Sequence, residues 1–119
     1  MELALTEVRD AVKAMPLASA PGLDHIPVVV LRKNLFILAP LLRLIYSASL
    51  SLQYFPRTWR VAKVIVLQKP GKASYSTPRS YRPISLLSHL GKGLERIVNS
   101  RLMHDLESRQ VISLYQFGF

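Results

Sequence analysis

Cysteine is absent from this 119-residue chain, and acidic residues are scarce. Without cysteine, neither a disulfide framework nor a cysteine-ligated zinc site is possible, and the composition agrees with an intracellular location. Seven Asp and Glu residues stand against sixteen Lys and Arg residues, which gives a formal net charge of +9. That excess indicates phosphate-rich partners or anionic surfaces, although a basic soluble domain without such a partner has the same charge.

The sequence also lacks the patterns of a self-contained active site. A two-metal site needs carboxylates that converge on ions about 4 Å apart, and Asp105 and Glu107 are two apart on a predicted helix, so they face different directions. The three histidines, His25, His89 and His104, show no metal-ligand spacing. No nucleophile elbow and no P-loop occur. We therefore expect no catalytic residue, no metal ligand and no cofactor of its own in this chain.

The length of 119 residues predicts one domain or part of one, and half of the residues are apolar, so a real core is possible. The start of the chain lacks the pattern of a secretory signal. The stretch that most resembles a membrane span is Leu35 to Leu52, but Pro40 and Arg43 interrupt it and it is short for a span. We expect a buried helix there and no membrane contact.

Helical periodicity and proline positions predict three helices in the first half of the chain. The first runs from Glu7 to about Met15, with Thr6 as its cap. Pro27 begins a short second helix to about Lys33, and Pro40 begins a third that ends before Pro56. Residues 16–27 form a loop with a turn at Pro21-Gly22.

The second half predicts a hairpin followed by a long helix. Residues 60–68 are rich in β-branched side chains, and Tyr81 to Leu86 is a short apolar run that Pro83 restricts to an edge strand. A loop over residues 73–80 joins them. Ser88 caps a helix to about Ser108, whose apolar stripe is formed by Leu90, Leu94, Ile97, Val98, Arg101, Leu102 and Leu106. The expected fold class is α+β, mostly helical with a small antiparallel β-hairpin.

Basic residues are concentrated between Tyr54 and Arg101, where Glu95 is the sole acidic residue. Lys and Arg side chains neutralise phosphates, and the interleaved Trp59, Tyr75 and Tyr81 are of the type that stacks on bases. The plainer interpretation is a solvated basic face with Trp59 in the core, and the pattern alone does not decide between the two.

Several short motifs, taken in order, resemble the reverse transcriptases of non-long-terminal-repeat (non-LTR, LINE-type) retrotransposons. The resemblance covers nearly the whole chain, and its most specific part is Tyr81-Arg82-Pro83-Ile84-Ser85-Leu86-Leu87. The other matching pieces are Ala20-Pro21-Gly22-Leu23-Asp24-His25-Ile26-Pro27, Phe55-Pro56-x-x-Trp59-Arg60, Lys69-Pro70-Gly71-Lys72, Gly91-Lys92-x-x-Glu95-Arg96-Ile97, Arg101-Leu102 and Gln116-Phe117-Gly118-Phe119.

The resemblance implies that residues 1–119 are a partial reverse-transcriptase domain, the fingers, truncated before the catalytic palm. Lys69 and Arg82 would contact the triphosphate of the incoming nucleotide. RNA template, DNA primer, the missing palm and Mg²⁺ would belong to the complete enzyme, which acts in the nucleus or cytoplasm. The residues expected to contact nucleic acid are Arg60, Lys63, Lys72, Arg79, Lys92, Arg96 and Arg101.

Two positions depart from the family pattern. His25 stands where the family has glycine, so the turn is expected to differ, and Gly93 lies inside a helix, where it costs about 1 kcal/mol relative to alanine.

Three functional readings stay open. The chain is a fragment of an RNA-directed DNA polymerase that is not catalytic alone, a stand-alone basic nucleic-acid-binding module, or a partner of a separately encoded palm. Exposed apolar faces of the last helix, with Phe117 and Phe119, predict a sticky, marginally stable chain.

Overall fold

A computed structural model describes residues 2–113 and 115. The elements follow in the order α1 (Leu5–Lys13), α2 (Val28–Lys33), α3 (Leu35–Leu52), α4 (Arg57–Arg60), β1 (Lys63–Gln68), a 3₁₀ turn (Pro78–Ser80), β2 (Tyr81–Leu86) and α5 (His89–Ser108). The predicted α+β class with a small antiparallel hairpin is confirmed. The predicted Gln116–Phe119 motif lies outside the described residues.

Four helices enclose the apolar core. The helix α1 packs against both α3 and α5, and α2 covers the junction between α1 and α3. Each helix contributes the residues of one face: Val8 and Val12, Val28 and Leu31, Ala39, Leu42 and Tyr46, Leu94 and Ile97. This is the spacing of an amphipathic helix, three or four residues apart. Arg32 ties α2 to the end of α1 by donating to the carbonyls of Lys13 (2.8 Å) and Met15 (2.5 Å).

The two strands form an antiparallel hairpin outside this core. Lys63 pairs with Leu86, Leu67 with Arg82 and Gln68 with Tyr81, and no residue of either strand is buried. The ladder continues with the Lys69 amide donating to the Ser80 carbonyl at 2.8 Å. Hydrogen-bonded and non-bonded pairs alternate in such a ladder, so Val66–Pro83 is a non-bonded pair. Pro83 therefore loses no ladder bond, and its predicted place in an edge strand is confirmed.

The helix α5 begins where the sequence predicts. Ser88 Oγ accepts the Leu90 amide at 3.2 Å, which is the expected cap. The apolar stripe is only partly covered, because Leu94 and Ile97 are buried whereas Val98 and Leu102 are exposed.

Three predicted boundaries are wrong. The helix α1 starts at Leu5, because Glu7 rather than Thr6 satisfies its first turn by accepting the Ala4 amide at 2.8 Å. The helix α3 starts at Leu35, and Pro40 lies inside it. Phe36 and Pro40 are both exposed, so the carbonyl that Pro40 leaves without a donor is on the solvent side. Residues 57–60 form a helical turn, and the strand predicted from Arg60 starts at Lys63.

The helix α3 is buried along one face only. Leu35, Ala39, Leu42 and Tyr46 are buried, whereas Phe36, Ile37, Leu44 and Leu52 are exposed. Within residues 2–113 and 115, α3 is the one helix long and apolar enough to cross a membrane by length and composition. Core helices of soluble proteins pass the same test.

Candidate nucleic-acid and nucleotide interface

The register of the hairpin places Lys63, Lys69 and Arg82 on one face. Side chains alternate between faces along a strand, and directly paired residues share a face. Leu67 is four positions after Lys63, an even spacing that puts both side chains on one face, and Leu67 pairs with Arg82. The ladder bond at Lys69 extends the alternation by one further pair, Lys69 with Ser80. The two residues predicted to contact a triphosphate therefore lie on the same side of the hairpin.

The loop that joins the strands, residues 69–80, is held by its own hydrogen bonds. Ser80 is buried, and its hydroxyl donates to the Ser74 carbonyl at 2.5 Å. The Tyr75 hydroxyl donates to the Lys69 carbonyl at 2.9 Å, and the Tyr81 hydroxyl donates to the Tyr75 carbonyl at 2.6 Å. The two rings lie 6.1 Å apart. Lys72 and Arg79 are exposed in this loop, so the loop adds two cations to the end of the hairpin.

The electrostatic character of the hairpin is uniform. Between Asp24 and Glu95 the chain has no acidic residue. The ion pairs found within the described ranges involve Arg43, Arg101 and Arg109, so no cation of the hairpin is neutralised there. Solvated cations without partners retain their full attraction for phosphate.

Arg60 and the cations of α5 have different surroundings. Arg60 is exposed at the end of α4, Lys92 is half-buried, and Arg96 is exposed. Arg96 lines a small cavity of about 340 Å³ together with Glu7 and Asp10 of α1. Arg96 therefore shares the lining of this cavity with two acidic residues, whereas the hairpin has no acidic residue.

Arg101 is engaged within the protein. Its Nε lies 2.6 Å from Glu7 Oε1 and its Nη2 lies 2.8 Å from Glu7 Oε2. This bidentate ion pair joins α5 to α1. The hydrogen bond from Arg101 holds the pKa of Glu7 below its usual value, and the same bond raises the pKa of Arg101. The predicted contact of Arg101 with nucleic acid stays a prediction, with this structural role beside it.

Trp59 lies in the core rather than on the basic surface. It is 7% exposed, and its ring meets Tyr46 and Phe55 edge to face at 5.8 and 5.5 Å. Trp59 is therefore not accessible for stacking on a base in this fold, whereas Tyr75 and Tyr81 lie beside the cations of the hairpin. The Tyr46 hydroxyl donates to the Leu90 carbonyl at 2.5 Å, and burial raises the pKa of Tyr46.

Close packing requires glycine at two positions of α5 that face the aromatic cluster of Tyr46, Phe55 and Trp59. A Cβ at Gly91 would lie 2.8 Å from the Cβ of Trp59, and one at Gly93 would overlap the Tyr46 hydroxyl. Glycine is a poor helix former, but the absence of a side chain at Gly93 lets α5 approach Tyr46 of α3.

The loop with the Pro-Gly-Leu-Asp-His motif is fastened to the start of α5. Asp24 Oδ2 accepts from Ser88 Oγ at 2.5 Å, and Asp24 Oδ1 accepts the Ile26 amide at 3.1 Å. A Cβ at Gly22 would lie 2.7 Å from the backbone of Leu87 and Ser88. His25 has a φ of 56°, the left-handed conformation that glycine favours. His25 therefore adopts a backbone conformation that is open to glycine, and the expectation that the turn differs from that of the family stays a prediction.

The sequence predicted neither the Asp24–Ser88 bond nor the loop network around Ser80. Asp24 stands in the sequence only as part of a motif, because its partner lies 64 positions away.

His89 is buried like Ser80 and Ser88. Its Nε2 has no hydrogen-bond partner, and burial lowers the pKa of His89. No group of three His, Cys, Asp or Glu side chains that could hold a metal occurs among residues 2–113 and 115.

Comparison with known proteins gives matches along nearly the whole chain. It is 44% identical over 114 residues, 95% of the chain, to "Probable RNA-directed DNA polymerase from transposon BS" of Drosophila melanogaster. It is 36% identical over 97% of its length to "RNA-directed DNA polymerase from mobile element jockey" of the same fly. It is also 36% identical over 99% of its length to "Retrovirus-related Pol polyprotein from type-1 retrotransposable element R1" of Bradysia coprophila. The chain spans 12% of the length of each of these relatives. No family model matches it.

Proposed function

Homologues of this chain are RNA-directed DNA polymerases of non-LTR retrotransposons, and on that premise we propose that the chain supplies the fingers of such a polymerase. In this role it contacts the incoming nucleotide and the template and does not catalyse polymerisation alone. The observation that carries the proposal is the basic hairpin, which projects from the core with Lys69 and Arg82 on one face and without a neutralising acid in the described ranges.

The chemistry of the hairpin suits a nucleoside triphosphate. The guanidinium of Arg82 offers parallel donors that match two phosphate oxygens, and Lys69 offers a mobile point charge. Both side chains are attached to a hydrogen-bonded ladder, so their separation is set by the register rather than by a flexible loop. We propose that they bind the triphosphate of an incoming deoxynucleotide.

A wider surface is proposed to follow the nucleic acid. It consists of the exposed or half-buried cations Arg60, Lys63, Lys72, Arg79, Lys92 and Arg96, with Arg101 as the member that also pairs with Glu7. In the complete polymerase the partners are an RNA template, a DNA primer and the palm, and the carboxylates that bind Mg²⁺ belong to the palm. We place this activity inside the cell, in the nucleus or cytoplasm, and away from membranes.

A second candidate is a stand-alone basic module that binds nucleic acid. The observation that favours it is that the hairpin makes its own loop hydrogen bonds and that the four-helix core is formed by this chain alone.

A third candidate, a partner that pairs with a separate palm, predicts polymerase activity when the two pieces are mixed.

Binding to a labelled single-stranded RNA, followed by fluorescence anisotropy over a range of salt concentrations, tests the second candidate, in which the hairpin itself binds nucleic acid. For single strands, the logarithm of the binding constant falls with the logarithm of salt concentration by about 0.7 for each phosphate neutralised. The Lys69→Ala/Arg82→Ala variant is expected to bind more weakly, with a slope reduced by about 1.4.

The matched control is Lys13→Ala/Lys33→Ala, which removes the same charge from exposed positions on α1 and α2. Its slope is expected to change less. Equal effects of the two variants, or binding indifferent to salt, would contradict the proposed surface.

Primer extension by the purified chain separates the polymerase readings. With an RNA template, magnesium and four deoxynucleotides, no extension is expected from the chain alone. Reproducible extension would mean that its own carboxylates assemble a metal site, and the proposal that catalysis needs the carboxylates of a palm would be wrong.

A further inference from the structure

The loop at the end of the hairpin contains Thr77 followed by Pro78. No other serine or threonine in the sequence precedes a proline. Thr77 is exposed, and its backbone is extended, with φ −106° and ψ 146°. Protein kinases bind the segment around the phosphorylated residue in an extended conformation, and the proline-directed class requires proline directly after it. Thr77 is therefore accessible and locally extended, and the kinase has to open the 3₁₀ turn Pro78–Ser80 that follows it.

The hydroxyl of Thr77 acts as a hydrogen-bond donor in the loop. Thr77 Oγ1 lies 3.2 Å from Ser80 Oγ. A serine hydroxyl has one proton, and that of Ser80 is donated to the Ser74 carbonyl. The proton between the two hydroxyls therefore belongs to Thr77. An ester at Thr77 Oγ1 removes this proton, and the bond to buried Ser80 is lost with it.

The charge of the loop would change as well as its hydrogen bonds. A phosphate carries a charge of about −1.5 to −2 at neutral pH and three strong acceptor oxygens. Arg79 is two residues away, and Lys72 lies in the same loop, and neither has an ion-pair partner among the described residues. Charge-assisted bonds from these two cations to the new phosphate would remove them from the surface that faces nucleic acid.

We propose that Thr77 is the phosphorylation site of a proline-directed serine/threonine kinase, and that its phosphorylation weakens the binding of nucleic acid by the hairpin. The second half rests on the proposed function. In the reaction, Thr77 Oγ1 bonds to the γ-phosphorus of ATP while the bond from that phosphorus to the β–γ bridging oxygen breaks. ADP leaves, and the hydroxyl proton passes to a base of the kinase.

The first experiment incubates the purified chain with ATP and a kinase of the cyclin-dependent class, with sites mapped by mass spectrometry. One phosphate is expected, at Thr77. Thr77→Ala and Pro78→Ala abolish its addition, whereas Ser76→Ala leaves it in place as the matched control. A peptide of residues 69–82 serves as the unfolded reference. Phosphorylation of the peptide but not of the chain would overturn the proposal, as would modification of the chain at other sites only.

The second experiment compares RNA binding by the phosphorylated and unmodified chain at equal salt. Phosphorylation is expected to raise the dissociation constant about tenfold, as the loss of two or more phosphate contacts does. Unchanged affinity, in an assay where Lys69→Ala/Arg82→Ala does weaken binding, would overturn the regulatory half. If neither change alters binding, the proposed binding of nucleic acid by the hairpin fails, and the phosphorylation site is judged by the first experiment alone.

Discussion

Asp24 Oδ2 accepts a 2.5 Å hydrogen bond from Ser88 Oγ, and through it the Pro-Gly-Leu-Asp loop is fixed to the start of α5. Ser88 Oγ also accepts the Leu90 amide, so one hydroxyl serves the loop and the helix. The carboxylate lies at the positive end of the helix dipole, which adds to the interaction. The loop is thereby held against the segment that leads out of β2.

Removal of this hydroxyl is predicted to destabilise the fold. Ser88→Ala loses both the cap and the partner of Asp24, and should lower the free energy of unfolding by about 1–2 kcal/mol. Denaturant unfolding measures it. In a double-mutant cycle with Asp24→Ala, the two losses should fall short of additivity by at least about 0.5 kcal/mol. Strict additivity would show that the bond contributes nothing.

Gly93→Ala is predicted to destabilise the protein although alanine is the better helix former. The new methyl group overlaps the Tyr46 hydroxyl, and overpacking of this kind costs about 1–3 kcal/mol. The diagnostic variant is Gly93→Ala in a Tyr46→Phe background, where the hydroxyl is gone and the added cost should shrink. Glu95→Ala, at an exposed position of α5, is the control for helix propensity. A stabilising Gly93→Ala would mean that α5 and α3 are further apart.

The pair Glu7–Arg101 predicts a pH dependence of stability. Arg101 lowers the pKa of Glu7 from its ordinary 4.5 in the folded state. A depressed carboxyl pKa contributes stability above the unfolded pKa, and this contribution is lost as pH falls through the folded pKa. The free energy of unfolding should therefore decrease as the pH is lowered from about 4.5. The Glu7→Gln variant should show a shallower decline over that range, and an identical decline would contradict the assignment.

His25 is predicted to be a site of backbone strain. Its φ of 56° costs a residue with a side chain roughly 1 kcal/mol, which glycine avoids. His25→Gly should therefore leave stability unchanged or raise it by up to about 1 kcal/mol, because the greater entropy of the unfolded glycine offsets part of the gain. His25→Val, which is β-branched, should be clearly destabilising. Thermal unfolding of the two variants decides, and a destabilised glycine variant would contradict the left-handed turn.

Elements with local signals were predicted well from the sequence. The strand Tyr81–Leu86 and the cap at Ser88 lie at the predicted residues. Their signals, a turn-rich segment before the strand and a serine before the helix, are formed by neighbouring residues of the sequence. The end of α3 before Pro56 follows in the same way from the restriction on the residue before a proline.

Features that depend on distant partners were not predicted. Pro40 is tolerated inside α3 because that side of the helix is exposed, which no local rule indicates. Trp59 has the spacing of an interleaved aromatic but is placed in the core by Tyr46 and Phe55. The sequence alone does not separate Arg101 from the surface cations, because its partner, Glu7, lies 94 positions away.

Primer extension by a chimeric polymerase tests the central claim most directly. The chain replaces its matching segment in the jockey polymerase, to which it is 36% identical, and extension on an RNA template is measured against deoxynucleotide concentration. We expect the chimera to extend primers, and we expect Lys69→Ala/Arg82→Ala to raise the nucleotide KM by about tenfold or more through the loss of charge-assisted phosphate bonds. A working chimera whose nucleotide KM is indifferent to those two substitutions would contradict it.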